Sequence, residues 1–273
     1  MELLRSAAIG QYIPRDSLIH RLDPRTKIAA AFALTVVVFL ISGFAATALF
    51  AVLLLALFLA AQIPLGFVLR SLRPVVFLIG LTFVLNLFFS GIRGGTPMLT
   101  LGPVVITAEA LSRALFIALR LIMLIATTSL FTFTTSPMAL TDGMERLLRP
   151  FRRIGVPGHE LAMMMSIALR FIPTLLEETE RIMKAQMARG ASFQEGNILR
   201  RARALLPVLV PLFLSAFRRA DELALAMEAR AYRGGEGRTR MKELRFASRD
   251  AAAVMATAAA AALVLLPRWL GLP

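Results

Sequence analysis

From Ile28 to Leu69 the chain carries no charged side chain, and that stretch is about twice the roughly 20 residues one helix needs to cross a bilayer. Two spans fit it, Ile28 to Ile41 and Phe44 to Ala61, turning at Ser42-Gly43 and closing at Gln62-Ile63-Pro64. Both are short, which leaves little room for tilt. The rest of the composition agrees: 273 residues that are 58% hydrophobic, without cysteine and with a mean hydropathy of +0.72, are too apolar for a soluble domain of this size. The chain reads as an integral membrane protein. Without cysteine there are no disulfides or thiolate metal sites, and His20 and His159 alone leave little for a zinc site.

A third apolar run, Val75 to Ser90, follows Pro74 and leads into the Gly/Pro-rich turn Gly91 to Pro97. Leu99 to Ile106 is rich in β-formers but interrupted by Gly102-Pro103, which fits irregular structure or a short hairpin. A fourth span covers Leu111 to Thr135; its Arg120 is by default a candidate functional charge within the membrane, against the favoured structural reading that it snorkels to the interface or pairs inside the bundle. The last span, Phe246 to Leu266, is alanine-rich, as suits close helix packing. Its far end carries Arg268 and Trp269.

The expected fold is an all-α integral membrane protein with about five transmembrane helices and a cytoplasmic domain of two to three amphipathic helices. Residues 1–27 form a cytoplasmic N-terminal segment, 28–135 four transmembrane helices, 136–245 the cytoplasmic domain and 246–273 the C-terminal transmembrane helix. The N-terminal segment is charged before any apolar run, unlike a signal peptide. Placing the N-terminus inside puts nearly all Lys/Arg-rich loops on the cytoplasmic side of a prokaryotic cell membrane, with Arg93 and Arg268 against the trend. The net charge of +14 is thereby accounted for, and the absence of aromatics interleaved with the basic residues argues against nucleic acid.

Most of the charge lies in residues 136–249, which have no charge-free run near 18 residues and so exclude another obvious span. A first helix is expected from Ser136-Pro137 to Arg149-Pro150, then a turn at Gly155 to Gly158. A long helix follows, its apolar stripe running from Leu161 through Met164, Ile172 and Ile182 to Gln186, with a kink at Pro173. A third helix runs from Arg203 to Tyr232 with Leu206, Val210, Phe213, Phe217 and Met227 on one face, its first turns irregular at Pro207 and Pro211. Arg200, Arg201 and Arg203 crowd its N-terminus with the wrong sign for the helix dipole, which suits lipid phosphates or a partner.

The two long helices end alike. Ala188-Arg189-Gly190 and Ala229-Arg230-Ala231 each set an arginine between small residues, the second preceded by Glu228; such tips suit insertion into grooves on other proteins, with a solvated cation that complements the helix dipole as the alternative. Met164, Met165, Met183 and Met187 with Phe213 and Phe217 supply a soft apolar surface able to repack against partners, more than two or three helices can enclose. Enzyme and cofactor signatures are missing. His159-Glu160 lacks the second histidine of a zinc-protease helix, no phosphate-binding loop with its lysine occurs, and no Gly-x-Ser-x-Gly is present. No cofactor is expected. A self-contained permease or secondary transporter stays open as the alternative, although almost wholly aliphatic first spans favour a scaffold over a pore.

The chain resembles the transmembrane T component of energy-coupling factor transporters, the modular vitamin and metal-ion importers of prokaryotes. The resemblance covers nearly the whole chain. Tyr12 to Ser17 followed by Leu22 to Lys27 is similar to the family's N-terminal signature, Ala185 to Gly190 to its first coupling motif, and Ala226 to Gly235 to its second. One departure is Ala231, where that second motif usually has glycine. The resemblance implies a non-catalytic subunit that works with two ATP-binding cassette ATPase subunits and a small membrane-embedded substrate-binding subunit. Arg189 and Arg230 would each enter a groove on one ATPase, and the helices bearing them would hold the substrate-binding subunit.

Overall fold

The computed structural model describes residues 12–89, 97–101, 104–155, 157–193, 197–232, 234 and 246–269. The chain divides into two units, Gln11–Gly143 with Leu244–Pro273, and Met144–Glu243.

In the first unit, helix α1 (Pro24–Leu40) starts four residues before the expected span. The cause is local: Asp23 accepts a hydrogen bond from the Arg25 N–H at 2.9 Å, and Pro24 fills the first helical position, where its missing N–H costs nothing. Helix α2 is Phe44–Ala60, entered through Gly43 at φ 102° and left through Gln62 at φ 56°. Each of these helices has 17 residues, about 26 Å of rise, slightly less than the roughly 30 Å hydrocarbon layer. Helix α3 (Leu65–Leu72), a 3-10 turn (Arg73–Val75) and α4 (Val76–Phe89) form one helical run of 25 residues. This corrects the expected start at Val75, because a proline in a tight turn removes only one backbone donor and lets the chain continue as helix.

Strands β1 (Pro97–Leu101) and β2 (Val104–Thr107) pair antiparallel, so the β-rich stretch is a hairpin, an exception to the otherwise helical character of the described residues. Gly91 to Thr96 lie outside the described residues. Thr107 caps α5 (Ala108–Thr134) by accepting from the Ala110 N–H. Helix α5 packs on α1, α2, α3 and α4, and α9 (Ser248–Trp269) packs on α1 and α2. Val38, Phe50, Leu54, Phe58, Leu130, Phe133 and Val264 form the shared core, contributed by α1, α2, α5 and α9. Arg120 pairs inside this bundle: its guanidinium donates to the Ile41 carbonyl at 2.8 Å and lies over the Phe116 ring at 4.8 Å.

A polar joint ties the ends of these helices together. Lys27 is buried, donating to the His20 carbonyl at 2.9 Å and to the Thr134 carbonyl at 2.8 Å. It therefore caps the C-terminus of α5 with a cation. The Asp250 carboxylate, 1% exposed, accepts from the Ala247 N–H at the start of α9 and from the Asp23 N–H ahead of α1. The sequence treats Lys27 as one more cytoplasmic charge, whereas the fold spends it on a helix end.

The second unit holds the last residues of α6 (Pro137–Leu148), a 3-10 segment (Arg149–Ile154), α7 (Gly158–Ala188) and α8 (Ile198–Ala229). His159 at the start of α7 bonds Glu145 on α6 at 2.9 Å, and a Cβ on Gly158 would meet Leu148 at 3.0 Å, so α6 and α7 sit close at this corner. Helix α7 continues through Pro173, and α8 begins at Ile198 and runs unbroken through Pro207 and Pro211. The irregular first turns expected of α8 are absent. Each proline there deletes one N–H, which frees one carbonyl, and the one freed by Pro211, that of Pro207, accepts a long 3.4 Å bond from the Gln186 amide of α7.

By length and composition, four helices among the described residues could cross a membrane: Leu65–Phe89, Ala108–Thr134, Gly158–Ala188 and Ser248–Leu266. Three correspond to expected spans, and α2 is a shorter apolar helix. The fourth, α7, runs against the expectation that residues 136–249 hold no further span; its mean hydropathy of 1.2 is the lowest of the four.

Candidate functional site

The two arginine tips have one backbone solution. At the end of α7, the Gly190 N–H bonds the Met187 carbonyl at 3.0 Å and the Ala191 N–H reaches back to Gln186 at 3.0 Å. At the end of α8, the Ala231 N–H bonds the Glu228 carbonyl at 2.8 Å and the Tyr232 N–H reaches back to Met227 at 3.0 Å. Both are Schellman caps, in which a residue with left-handed backbone follows the last helical positions and turns the chain so that the orphan carbonyls are met. Arg189 and Arg230 occupy the same place in each cap, the residue just before the left-handed one. Gly190 stands at φ 85° and Ala231 at φ 53°.

This accounts for the small-arginine-small pattern. The position after the arginine needs a residue that tolerates positive φ, which is why glycine suits it. Alanine at 231 reaches the same cap with a strained backbone. Glu228 contributes its carbonyl to the cap and keeps an exposed side chain. Ala188, Arg189, Gly190, Ala229, Arg230 and Ala231 are all exposed.

The fold holds the two tips apart. Arg219 of α8 donates to Glu178 of α7 at 2.7 Å, Ser215 also bonds that carboxylate, and Gln186 meets Pro207 further along α7. As the α7 number rises the α8 number falls, so the helices run antiparallel and their C-terminal tips lie at opposite ends of the pair. From Pro207, level with the end of α7, to Arg230 is about 35 Å of helix. The clasp is symmetric in sequence: Arg189 lies eleven residues beyond Glu178, and Arg230 eleven beyond Arg219.

The ends differ in charge. Exposed Lys184 and Arg189 are joined at the α7 tip by Arg201 and Arg203 from the start of α8, whereas Arg230 shares the last turns of α8 with Asp221, Glu222 and Glu228. The apolar surface between them is open. Met164, Met165, Met187, Phe213 and Phe217 are exposed, Phe217 at 66%, and Met183 is half-buried. The antiparallel register sets Phe213 level with Met183 near the clasp and places Met164 and Met165 toward the Arg230 end, so these residues spread along the pair. Glu178, Ser215 and Arg219 are clasp residues that sequence reasoning missed, and Gln186, named there within the first coupling motif, was missed as a partner of α8. Only Pro211 carried a signal, because a helical proline leaves a carbonyl in search of a donor.

Comparison with known proteins shows the family. The family described as cobalt transport protein matches residues 15–241. The energy-coupling factor transporter transmembrane protein of Thermosediminibacter oceani is 58% identical over 267 residues, covering 98% of this chain and 100% of the relative. The protein of the same name from Clostridium kluyveri is 49% identical over 270 residues, 98% of this chain and 100% of its own. That of Bacillus subtilis is 43% identical over 266 residues, 97% and 100% respectively. With near-complete coverage on both sides, this chain belongs to the family of energy-coupling factor transporter transmembrane proteins.

Proposed function

We propose that the chain is the energy-coupling scaffold through which two ATP-binding cassette ATPase subunits drive a small membrane-embedded substrate-binding subunit in vitamin or metal-ion uptake. Arg189 enters a groove on one ATPase and Arg230 a groove on the other, while the exposed Met and Phe surface of α7 and α8 holds the substrate-binding subunit. The N-terminus and residues 136–245 lie in the cytoplasm, with α7 on the membrane surface rather than through it. ATP hydrolysis belongs to the partner chains, and this chain carries no catalytic role.

One observation carries the reading: two arginines in identical helix caps at opposite ends of one antiparallel pair, spaced to address two separate sites. A planar guanidinium on a finished helix end makes several charge-assisted bonds in a groove without leaving helix carbonyls unpaired. The polar groups of the spans fit a scaffold too. Asn86 bonds its own helix, as does Thr127, and Arg120 bonds Ile41, so the described spans offer no row of free polar groups for a substrate.

The test is co-purification of the tagged chain from its native host, as wild type and with Arg189→Glu and Arg230→Glu combined, together with uptake assays of each single variant. Two nucleotide-binding subunits and a small membrane protein with the wild type, depleted in the double variant, are expected. Normal uptake in both single variants would sink the proposal, and a chain that purifies alone yet carries substrate in liposomes would make it a self-contained transporter.

A further inference from the structure

The corner between α6 and α7 carries a feature the two tips do not use. Met144, Leu147, Phe151 and Ile154 are spaced three, four and three residues apart, and all four are exposed, Phe151 at 50% and Ile154 at 78%. This spacing lays them along one stripe of α6 and the 3-10 turn that extends it. The neighbouring positions are basic: Arg146, Arg149, Arg152 and Arg153 stand in the same eleven residues against one acid, Glu145, which is engaged with His159 of α7. Leu148, against Gly158, also belongs to the side that meets α7. The stripe, with exposed Arg149 and Arg153 next to it in the chain, is thus left over after packing within the unit.

We propose that Met144–Ile154 is an interfacial anchor that lies in the headgroup layer of the membrane and binds anionic phospholipid. A short helical segment with large apolar side chains on one face and arginines beside them matches how surface-lying helices bury their apolar side in the acyl boundary and pair cations with lipid phosphates. Only ten residues separate Met144 from Thr134 at the end of α5, a short tether to a membrane span. The absence of any uncommitted carboxylate in the segment makes the charge complementary to lipid. The anchor rests on the proposed cytoplasmic placement of this unit, and it gives the coupling helices a foothold at the membrane surface independent of either ATPase.

The chain has a single tryptophan, so Phe151→Trp in a Trp269→Phe background places one reporter in the stripe. The full chain is reconstituted in nanodiscs of phosphatidylcholine alone or with one-third phosphatidylglycerol, each with brominated acyl chains. Strong quenching in the anionic discs, falling by at least half in neutral discs and in the Arg149→Gln/Arg153→Gln variant, is expected. Two arginines removed should weaken lipid partitioning on the order of twentyfold. Quenching that is weak in every disc overturns the anchor. So does quenching that is present for the chain alone and lost, with a blue-shifted emission, once co-purified ATPase subunits are bound, since the stripe would then be a protein contact. Neither result touches the arginine tips, whose variants are read by co-purification.

Discussion

The two caps differ by one methyl group at equivalent positions, and this gives a reciprocal experiment. Ala231 sits at φ 53°, where an L-residue with a Cβ pays about 1–2 kcal/mol that glycine does not. Glycine gives back roughly 0.5–1 kcal/mol in unfolded-state entropy, so Ala231→Gly should stabilise the α8 cap by about 0.5–1 kcal/mol. Gly190→Ala should do the reverse. A Cβ at 190 meets nothing within 4 Å, so its cost is backbone strain alone at φ 85°, about 1 kcal/mol net. Amide hydrogen exchange on the full chain in detergent reads both. Ala231→Gly should slow exchange of the residue-231 and Tyr232 amides, the donors to Glu228 and Met227, by about two- to fivefold, and Gly190→Ala should speed exchange at 190 and 191 by about fivefold. Unchanged or faster exchange at Tyr232 in Ala231→Gly would refute the claim that the residue after each arginine is there for its left-handed backbone.

Breaking the clasp with Glu178→Arg or Arg219→Glu should abolish uptake while both ATPases still co-purify, and the double exchange should restore much of it; the half-exposed pair contributes only about 1 kcal/mol to stability, so thermal unfolding should hardly move. Asp250→Ala leaves two backbone donors, those of Asp23 and Ala247, without their acceptor and should cost about 3 kcal/mol in thermal unfolding of the purified chain, with Asp250→Asn milder. Burial first, then the nearby Lys27 charge, holds the His20 imidazole below its ordinary value of 6.5. The folded state therefore resists protonation, and stability should be constant at high pH and fall as pH drops through about 6.5. Thermal unfolding from pH 8 to 5 should show a shallower acid slope in His20→Gln.

What could be read from sequence was what local spacing encodes. Apolar runs place α2 and α5 to within a few residues, the three-four stripes place α7, and the matched arginine tips are visible as text. The start of α1 was also encoded, in Asp23-Pro24, but an expectation built on the charge-free run passes over it. The clasp could not be read: Glu178 and Arg219 are 41 positions apart, and nothing local pairs them before the helices turn antiparallel. The same holds for Asp250 and Asp23, which are joined across 227 positions. Pro207 and Pro211 misled for a related reason. The penalty for a helical proline is a lost donor, and whether the freed carbonyl finds another depends on a neighbour such as Gln186, which only the fold supplies.

Equal arms about a fixed pin define a balanced lever. Each arginine stands about 16 Å of helix from the Glu178–Arg219 contact, on opposite sides of it. Equal and opposite forces on two tips so placed make a couple, which rotates the pair about the pin with no net push on it. A motor acting on one end alone would shift the whole unit, whereas two acting together would turn it in place. Under the proposed coupling, the symmetry of eleven and eleven residues would convert simultaneous closure of two grooves into torque, and would leave the rotation insensitive to jolts that strike both ends alike.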